Sequence, residues 1–248
     1  MVVVKTPREI SRMRDAGRIV AEVLAVLREK VCEGVTTLEL NRIAESEAAK
    51  RKAKTAFKGY SGYPYSLCCS VNEQVVHGMP GDRSLVAGDI LSIDFGVIYK
   101  EFYGDAAVTL PVGRVSAVAQ RLMTVTEESL YRAIDCMTVA HRLSDVSNAV
   151  QSHVEMHGFS VVRDFVGHGI GRALHESPQV PNFGQPGRGM RLKPGIVLAI
   201  EPMINELGPD VKVLDDGWTA VTTDGGLSAH FEHTVAVTDN GPLVLTTL

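Results

Sequence analysis

The chain predicts an α+β protein made of two halves that repeat one arrangement. Three observations carry this. Two amphipathic stretches, each opened by a helix-capping signature, precede strand-rich sequence. The same order of helix, helix, strand, His-Gly pair and acid-bearing strands then recurs, dividing the chain at about 1–112 and 113–248. Four apolar, β-prone runs each hold a single carboxylate, at Asp94, Asp105, Glu201 and Glu232.

The elements follow in order. Thr6-Pro7-Arg8-Glu9 reads as a capping box with proline at the first helical position, and Ile10, Met13, Gly17, Val20, Leu24 and Leu27 recur at helical steps. Thr36-Thr37-Leu38-Glu39 opens a second helix, which Leu40, Ile43, Ala44 and Ala48 carry to about Lys52. A Gly- and Tyr-rich loop spans 59–65. Short strands are expected over 67–71 and 74–77, then a turn over 78–82. Residues 90–109 read as a hairpin. Turning about Tyr99 and Lys100, it would set Asp94 directly opposite Asp105. Like charges opposed across a ladder destabilise it, so the pair needs a cation or a proton between them.

Ser116 caps a third helix bearing Val118, Leu122, Val125, Leu130 and Ile134, and a shorter helix runs from about Ser144 to His157. A strand is expected over 160–165, a glycine-rich loop over 167–171 and another loop over 182–189. A strand-rich end, over 196–204, around Asp216-Gly217 and over 231–237, completes the chain. His230 and His233 read as surface residues, and His175 as a loop residue. Val76-His77-Gly78 and Gly167-His168-Gly169 take equivalent places in the repeat.

At 248 residues and 45% hydrophobic content, a single catalytic domain over 1–248 is expected. Net charge is −4 with no dense basic patch, which argues against direct nucleic-acid binding. The apolar start is too short for a signal peptide, and no apolar run is long enough to span a membrane, so a soluble cytoplasmic protein is expected. The four cysteines form no CxxC, so neither a disulfide framework nor a zinc knuckle is indicated.

His168 between two glycines joins the four acids as a fifth candidate ligand. Four carboxylates converging without counterions would be prohibitively unfavourable. A pair of divalent cations removes that problem, and mixed carboxylate and imidazole ligation suits Mn, Fe, Co or Zn. The set is too rich in oxygen for a structural zinc site.

His77-Gly78, Asp94, Asp105, the 167–171 loop with His175-Glu176, Glu201-Pro202-Met203 and Glu232-His233-Thr234 together resemble the type I methionine aminopeptidases. The resemblance covers nearly the whole chain. It implies the pita-bread fold, a curved antiparallel sheet with helices on its outer face and pseudo-twofold halves. It implies a dinuclear site in which Asp105 and Glu232 bridge two divalent ions, Asp94 binds one, and His168 with Glu201 the other. It assigns proton transfer to Glu201, oxyanion stabilisation to His175 and contact with the scissile amide to His77. Tyr60, Tyr63, Cys68 and Trp218 match the methionine pocket, while Phe57 and Leu174 stand where relatives often have Cys and Phe. The implied substrates are nascent-chain N-termini with a small second residue, met near the ribosome; a compact single domain makes a monomer the expectation. An X-Pro peptidase on this fold would usually carry a further N-terminal domain, and a non-catalytic binding protein would have lost ligands.

Overall fold

The computed structural model describes residues 2–248; Met1 lies outside the described residues. Two helices come first, α1 (Pro7–Lys30) and α2 (Thr37–Lys50). Strands β1 (Lys54–Thr55), β2 (Cys68–Val71), β3 (Gln74–Val76), β4 (Ile90–Tyr99) and β5 (Phe102–Pro111) follow. Helices α3 (Ala117–Asp135) and α4 (Leu143–Met156) open the second half. Then come β6 (Ser160–Val161), β7 (Gly167–Gly169), β8 (Glu176–Val180), β9 (Val197–Ile200) and β10 (Met203–Asn205). The last strands are β11 (Val211–Val213), β12 (Ala220–Thr222), β13 (Ser228–His230), β14 (Glu232–Thr238) and β15 (Gly241–Val244).

The helix starts lie where the capping residues place them. Thr6 Oγ1 accepts the Glu9 N–H, and the Glu9 carboxylate accepts the Thr6 N–H, closing the box. Thr36 caps α2 through the Glu39 N–H, and Ser116 caps α3 through the Ala119 N–H. Each such cap stabilises its helix by about 1 kcal/mol.

The main sheet runs β1-β4-β5-β14-β9-β7-β8, with β2 also on β4 and β15 also on β14. Its pairs are antiparallel. Alternation along the strands divides the two faces. Leu91, Ile93, Phe95 and Val97 of β4, with Ala106, Val108 and Leu110 of β5, pack in one core with Ala16, Val20 and Val23 of α1. Asp94 and Asp105 fall on the opposite parity and so on the face away from the helices. Burying the Val, Leu, Ile and Phe side chains among these contributes roughly 1.5–3 kcal/mol each.

Five expectations are corrected. The β4–β5 turn is Lys100-Glu101, both with left-handed backbones at φ 48° and 72°. The register therefore pairs Asp94 with Ala107 and Gly96 with Asp105. The two acids are diagonal neighbours on one face and not directly opposed. A two-residue turn with both φ values positive matches the twist of the flanking strands, which is why it wins. The glycine-rich run around His168 is strand β7, not a loop. The strand expected over 160–165 stops at Val161, and that over 196–204 breaks at Glu201-Pro202. Finally, β2 pairs β4 as β7 pairs β9, whereas His77 follows β3 in a separate sheet with β11 and β12. The two His-Gly pairs do not occupy matching places.

Candidate active site

Five neighbouring strands each deliver one candidate ligand to the same side of the sheet. In sheet order they are Asp94 on β4, Asp105 on β5, Glu232 on β14, Glu201 immediately after β9, and His168 on β7. Chain order scrambles this sequence, so only the pairing brings them together. Ligand atoms of Asp105, His168 and Glu232 lie within 4.8 Å of one another. His168 Nε2 stands 3.4 Å from Glu201 Oε1.

The glycines flanking His168 have a steric cause. A Cβ on Gly167 would lie 2.5 Å from the Ala199 carbonyl oxygen, and one on Gly169 would lie 2.4 Å from that of Ser177. Strand β7 is squeezed between β9 and β8, and only glycine permits the approach. The His168 Nδ1–H donates to the Gly169 carbonyl at 3.0 Å. That bond leaves the Nε2 lone pair facing the acids, the tautomer a metal ligand needs.

The acids are buried without partners. Asp94 Oδ1, Asp105 Oδ1 and Glu232 Oε1 are enclosed and make no hydrogen bond. Burial pushes the Asp94 carboxyl up to about 7. Burial first, and then the neighbouring acids, drive Asp105 and Glu232 well above the ordinary carboxylate range. Glu201 rises through burial and through Asp94. Orphaned oxygens with this repulsion call for cations among them. The donor set fits divalent cations of the Mn, Fe, Co and Zn group.

All the sequence-predicted site residues line one cavity of about 190 Å³. His77, His175, Tyr60, Tyr63, Cys68 and Trp218 share it with the five candidate ligands, and Phe57 and Leu174 complete its wall. Cys68 reaches it because β2 sets it directly opposite Asp94. Burial, with Asp94 close by, keeps its thiol protonated, so it serves as a soft wall and not a nucleophile. The Tyr63 hydroxyl donates toward the carbonyls of Leu67 and Gly78, and its ring meets Trp218 edge-on at 5.1 Å. Trp218 is held by Asp216, whose carboxylate accepts the N–H groups of Trp218 and Thr219, both at 2.8 Å.

His77 has a left-handed backbone at φ 57°, a strained conformation for a non-glycine residue. The following Gly78 cannot change, because a Cβ there would lie 2.3 Å from the Cys69 carbonyl oxygen. Burial and the proximity of His175 hold the His77 imidazole down to about 4, and burial lowers His175 too, so both rings are neutral near pH 7. The Tyr60 hydroxyl pairs with His175 Nδ1 at 2.7 Å.

One residue of the site runs against the sequence reading. His230, expected at the surface, is 2% exposed, and its Nε2 is orphaned 3.7 Å from Glu201 Oε2. It precedes Glu232 by two positions, and alternation was the available signal. His233 is only half-buried on the other face, with its ring Nδ1 2.8 Å from Thr246 Oγ1. Asn182, which donates to the Glu201 carbonyl at 2.9 Å, left no signal in the sequence.

Buried acids and a histidine on adjacent strands, opening into a walled cavity, define a metal-dependent hydrolase. The chain belongs to metallopeptidase family M24, whose model matches residues 11–239, and within it to the methionine aminopeptidases. It is 56% identical to the methionine aminopeptidase of Clostridium perfringens, over 99% of each chain. It is 51% identical to methionine aminopeptidase 1 of Bacillus subtilis, again over 99% of each. The crystal structure of the Thermotoga maritima methionine aminopeptidase superposes with a TM-score of 0.98 at 48% identity, covering all of both chains. The fold is the pita-bread fold.

Proposed function

We propose that this chain removes N-terminal methionine from peptides and nascent chains whose second residue is small, using two divalent metal ions. The observation that carries this reading is the delivery of five candidate ligands from five adjacent strands into a cavity walled by Tyr63, Cys68 and Trp218. The similarity to named methionine aminopeptidases supports it.

Asp94, Asp105, His168, Glu201 and Glu232 would hold the ions. When bound, the ions, drawn from Co, Mn, Fe or Zn, supply Lewis-acid polarisation of the scissile carbonyl and a water that ionises near neutral pH. Glu201 takes the proton of the attacking water and passes it to the leaving amine. Its carboxylate lies between two imidazoles, His168 at 3.4 Å and His230 at 3.7 Å. If the Tyr60 hydroxyl donates to His175 Nδ1, the neutral ring carries its single proton on Nε2, ready to donate to the tetrahedral oxyanion. His77 hydrogen-bonds the scissile amide nitrogen. Phe57, Tyr63, Cys68, Leu174 and Trp218 give the flexible thioether a soft apolar wall.

We read the chain as one catalytic domain with duplicated halves, acting as a monomer on emerging N-termini near the ribosome in the cytoplasm, with no direct nucleic-acid or membrane binding. No helix among the described residues is long and apolar enough to cross a membrane.

The test is a series of Met-X-Ser peptides with X from Gly to Trp, assayed with added Mn, Co or Fe(II) and after EDTA. Turnover is expected for X as Gly, Ala or Ser, and only with metal. Overpacking costs on the order of 1–3 kcal/mol, so larger residues should lose about one to two decades in kcat/KM. Comparable kcat/KM for X as Ala and X as Phe would contradict the specificity. Full turnover in protein shown to be metal-free would contradict the metal chemistry.

A further inference from the structure

His175 closes a short turn, residues 171–175, between β7 and β8. That turn is tied to the N-terminal segment of the chain. Glu176 makes the connection with both of its oxygens. Oε1 accepts the backbone N–H groups of Arg172 and Ala173, at 2.8 and 3.3 Å, and so fixes the turn's own backbone. Oε2 accepts a hydrogen bond from Lys5 Nζ at 2.6 Å. The two side chains are only 4% and 13% exposed, so this is a buried ion pair.

Lys5 is itself held in place. Its N–H donates to the Gly195 carbonyl at 2.7 Å, and a Cβ on Gly195 would lie 2.5 Å from the Lys5 carbonyl oxygen. A Cβ on Gly171 would lie 2.6 Å from both Glu176 Oε1 and Lys5 Cε. The segment, the carboxylate and the turn are thus in contact without slack. Burial works to raise the Glu176 carboxyl, but Lys5 and the two backbone N–H groups together hold it below its ordinary value, so it is ionised. An ionised carboxylate this enclosed, stripped of its cation, must find a proton or another partner. Either change loosens its grip on Arg172 and Ala173.

We propose that Lys5 is a positioning residue for His175, acting through Glu176 to hold the turn that aims the imidazole into the cavity. This rests on the reading of His175 as the group that faces the oxyanion. A displacement of about 1 Å in such a group costs up to roughly 100-fold in rate.

The test compares four variants of the full chain loaded with Mn(II): Lys5→Met, Lys5→Met with Glu176→Gln, His175→Ala, and Lys5→Met with His175→Ala. The second leaves no unpaired buried charge, and it carries the comparison if Lys5→Met alone fails to fold by thermal melting. Lys5→Met and the neutral pair should each lower kcat on Met-Ala-Ser by roughly 10- to 100-fold. KM should stay within about twofold. In the His175→Ala background, Lys5→Met should cost less than about a further twofold, because the two act as one unit. In the metal-free protein, the His175 ring resonances should shift or broaden in Lys5→Met while those of His77 hold. Equal losses in both backgrounds, an unchanged kcat, or unmoved His175 resonances overturn the proposal alone. A normal kcat in His175→Ala overturns the role of His175, and the proposal with it.

Discussion

Asp105 and Glu232 are both fully enclosed, on neighbouring strands, each with one oxygen that meets no donor. Neutral amides at these positions would relieve the repulsion and so need not destabilise the fold. They would bridge cations poorly. Asp105→Asn and Glu232→Gln should therefore lose metal affinity by roughly 100-fold or more and activity with it, while melting of the metal-free protein holds or rises. Isothermal calorimetry with Mn(II) checks the first part and thermal melting the second. His77 differs in kind. It lines the cavity without belonging to the acid cluster. His77→Ala should keep its metal and lose kcat by roughly 10- to 100-fold, the worth of one hydrogen bond to a charge-bearing transition state. Loss of metal in that variant would mean that ligand and substrate histidines have been separated wrongly.

At the scale of elements, β7 shows how a strand can be specified by what it lacks. Its flanking glycines exist because backbone carbonyls of β9 and of the segment opening β8 lie where side chains would be. Gly167→Ala should force β7 away from β9, destabilising the fold by about 1–3 kcal/mol and moving His168 off the acids. Denaturant melts and Mn(II) affinity should fall together; a stable variant with unchanged affinity would refute this account. The same scale explains two errors of sequence reading. Periodicity marks 167–171 as a loop because glycine signals turns, yet close approach of backbones demands glycine equally. In the β4–β5 hairpin, the apolar pattern located both strands but left the turn ambiguous by one residue. That residue moved Asp105 from facing Asp94 to facing Gly96. The side-chain face survived because the register shifted by two, an even step.

For the whole molecule, the buried acids and imidazoles set the response to pH. The Asp94 carboxyl is pushed up to about 7, and Asp105, Glu201 and Glu232 are also raised. The folded metal-free protein thus holds more protons than the unfolded chain above the ordinary carboxyl range, and its stability falls as pH rises there. The imidazoles act oppositely. Burial holds His77 and His168 down to about 4 and His230 to about 3, so their contribution rises with pH up to the ordinary histidine value of about 6.5. Above that value the carboxylates act alone. The Tm of EDTA-treated protein should fall as pH rises past that value, where the raised carboxyls still hold protons that the unfolded chain has lost. Saturating Mn(II) should remove that slope, and at 100 times Kd it adds about 2.7 kcal/mol. A metal-free Tm that rises with pH past that value would count against the buried-acid site.

Much of this protein was legible in its sequence. Capping boxes, helical periodicity and alternating apolar runs are local, so they placed the helix starts and the long strands that carry Asp94, Asp105 and Glu232. An acid in an apolar strand is an energetic contradiction visible without coordinates, and it marked four of the five candidate ligands directly. The tertiary structure alone decided the rest. Sheet order is not written in chain order: β14 lies between β5 and β9, and that placement gathers the acids and His168. The link from Lys5 to Glu176 spans 171 positions, and no local pattern encodes a contact made only when distant segments pack.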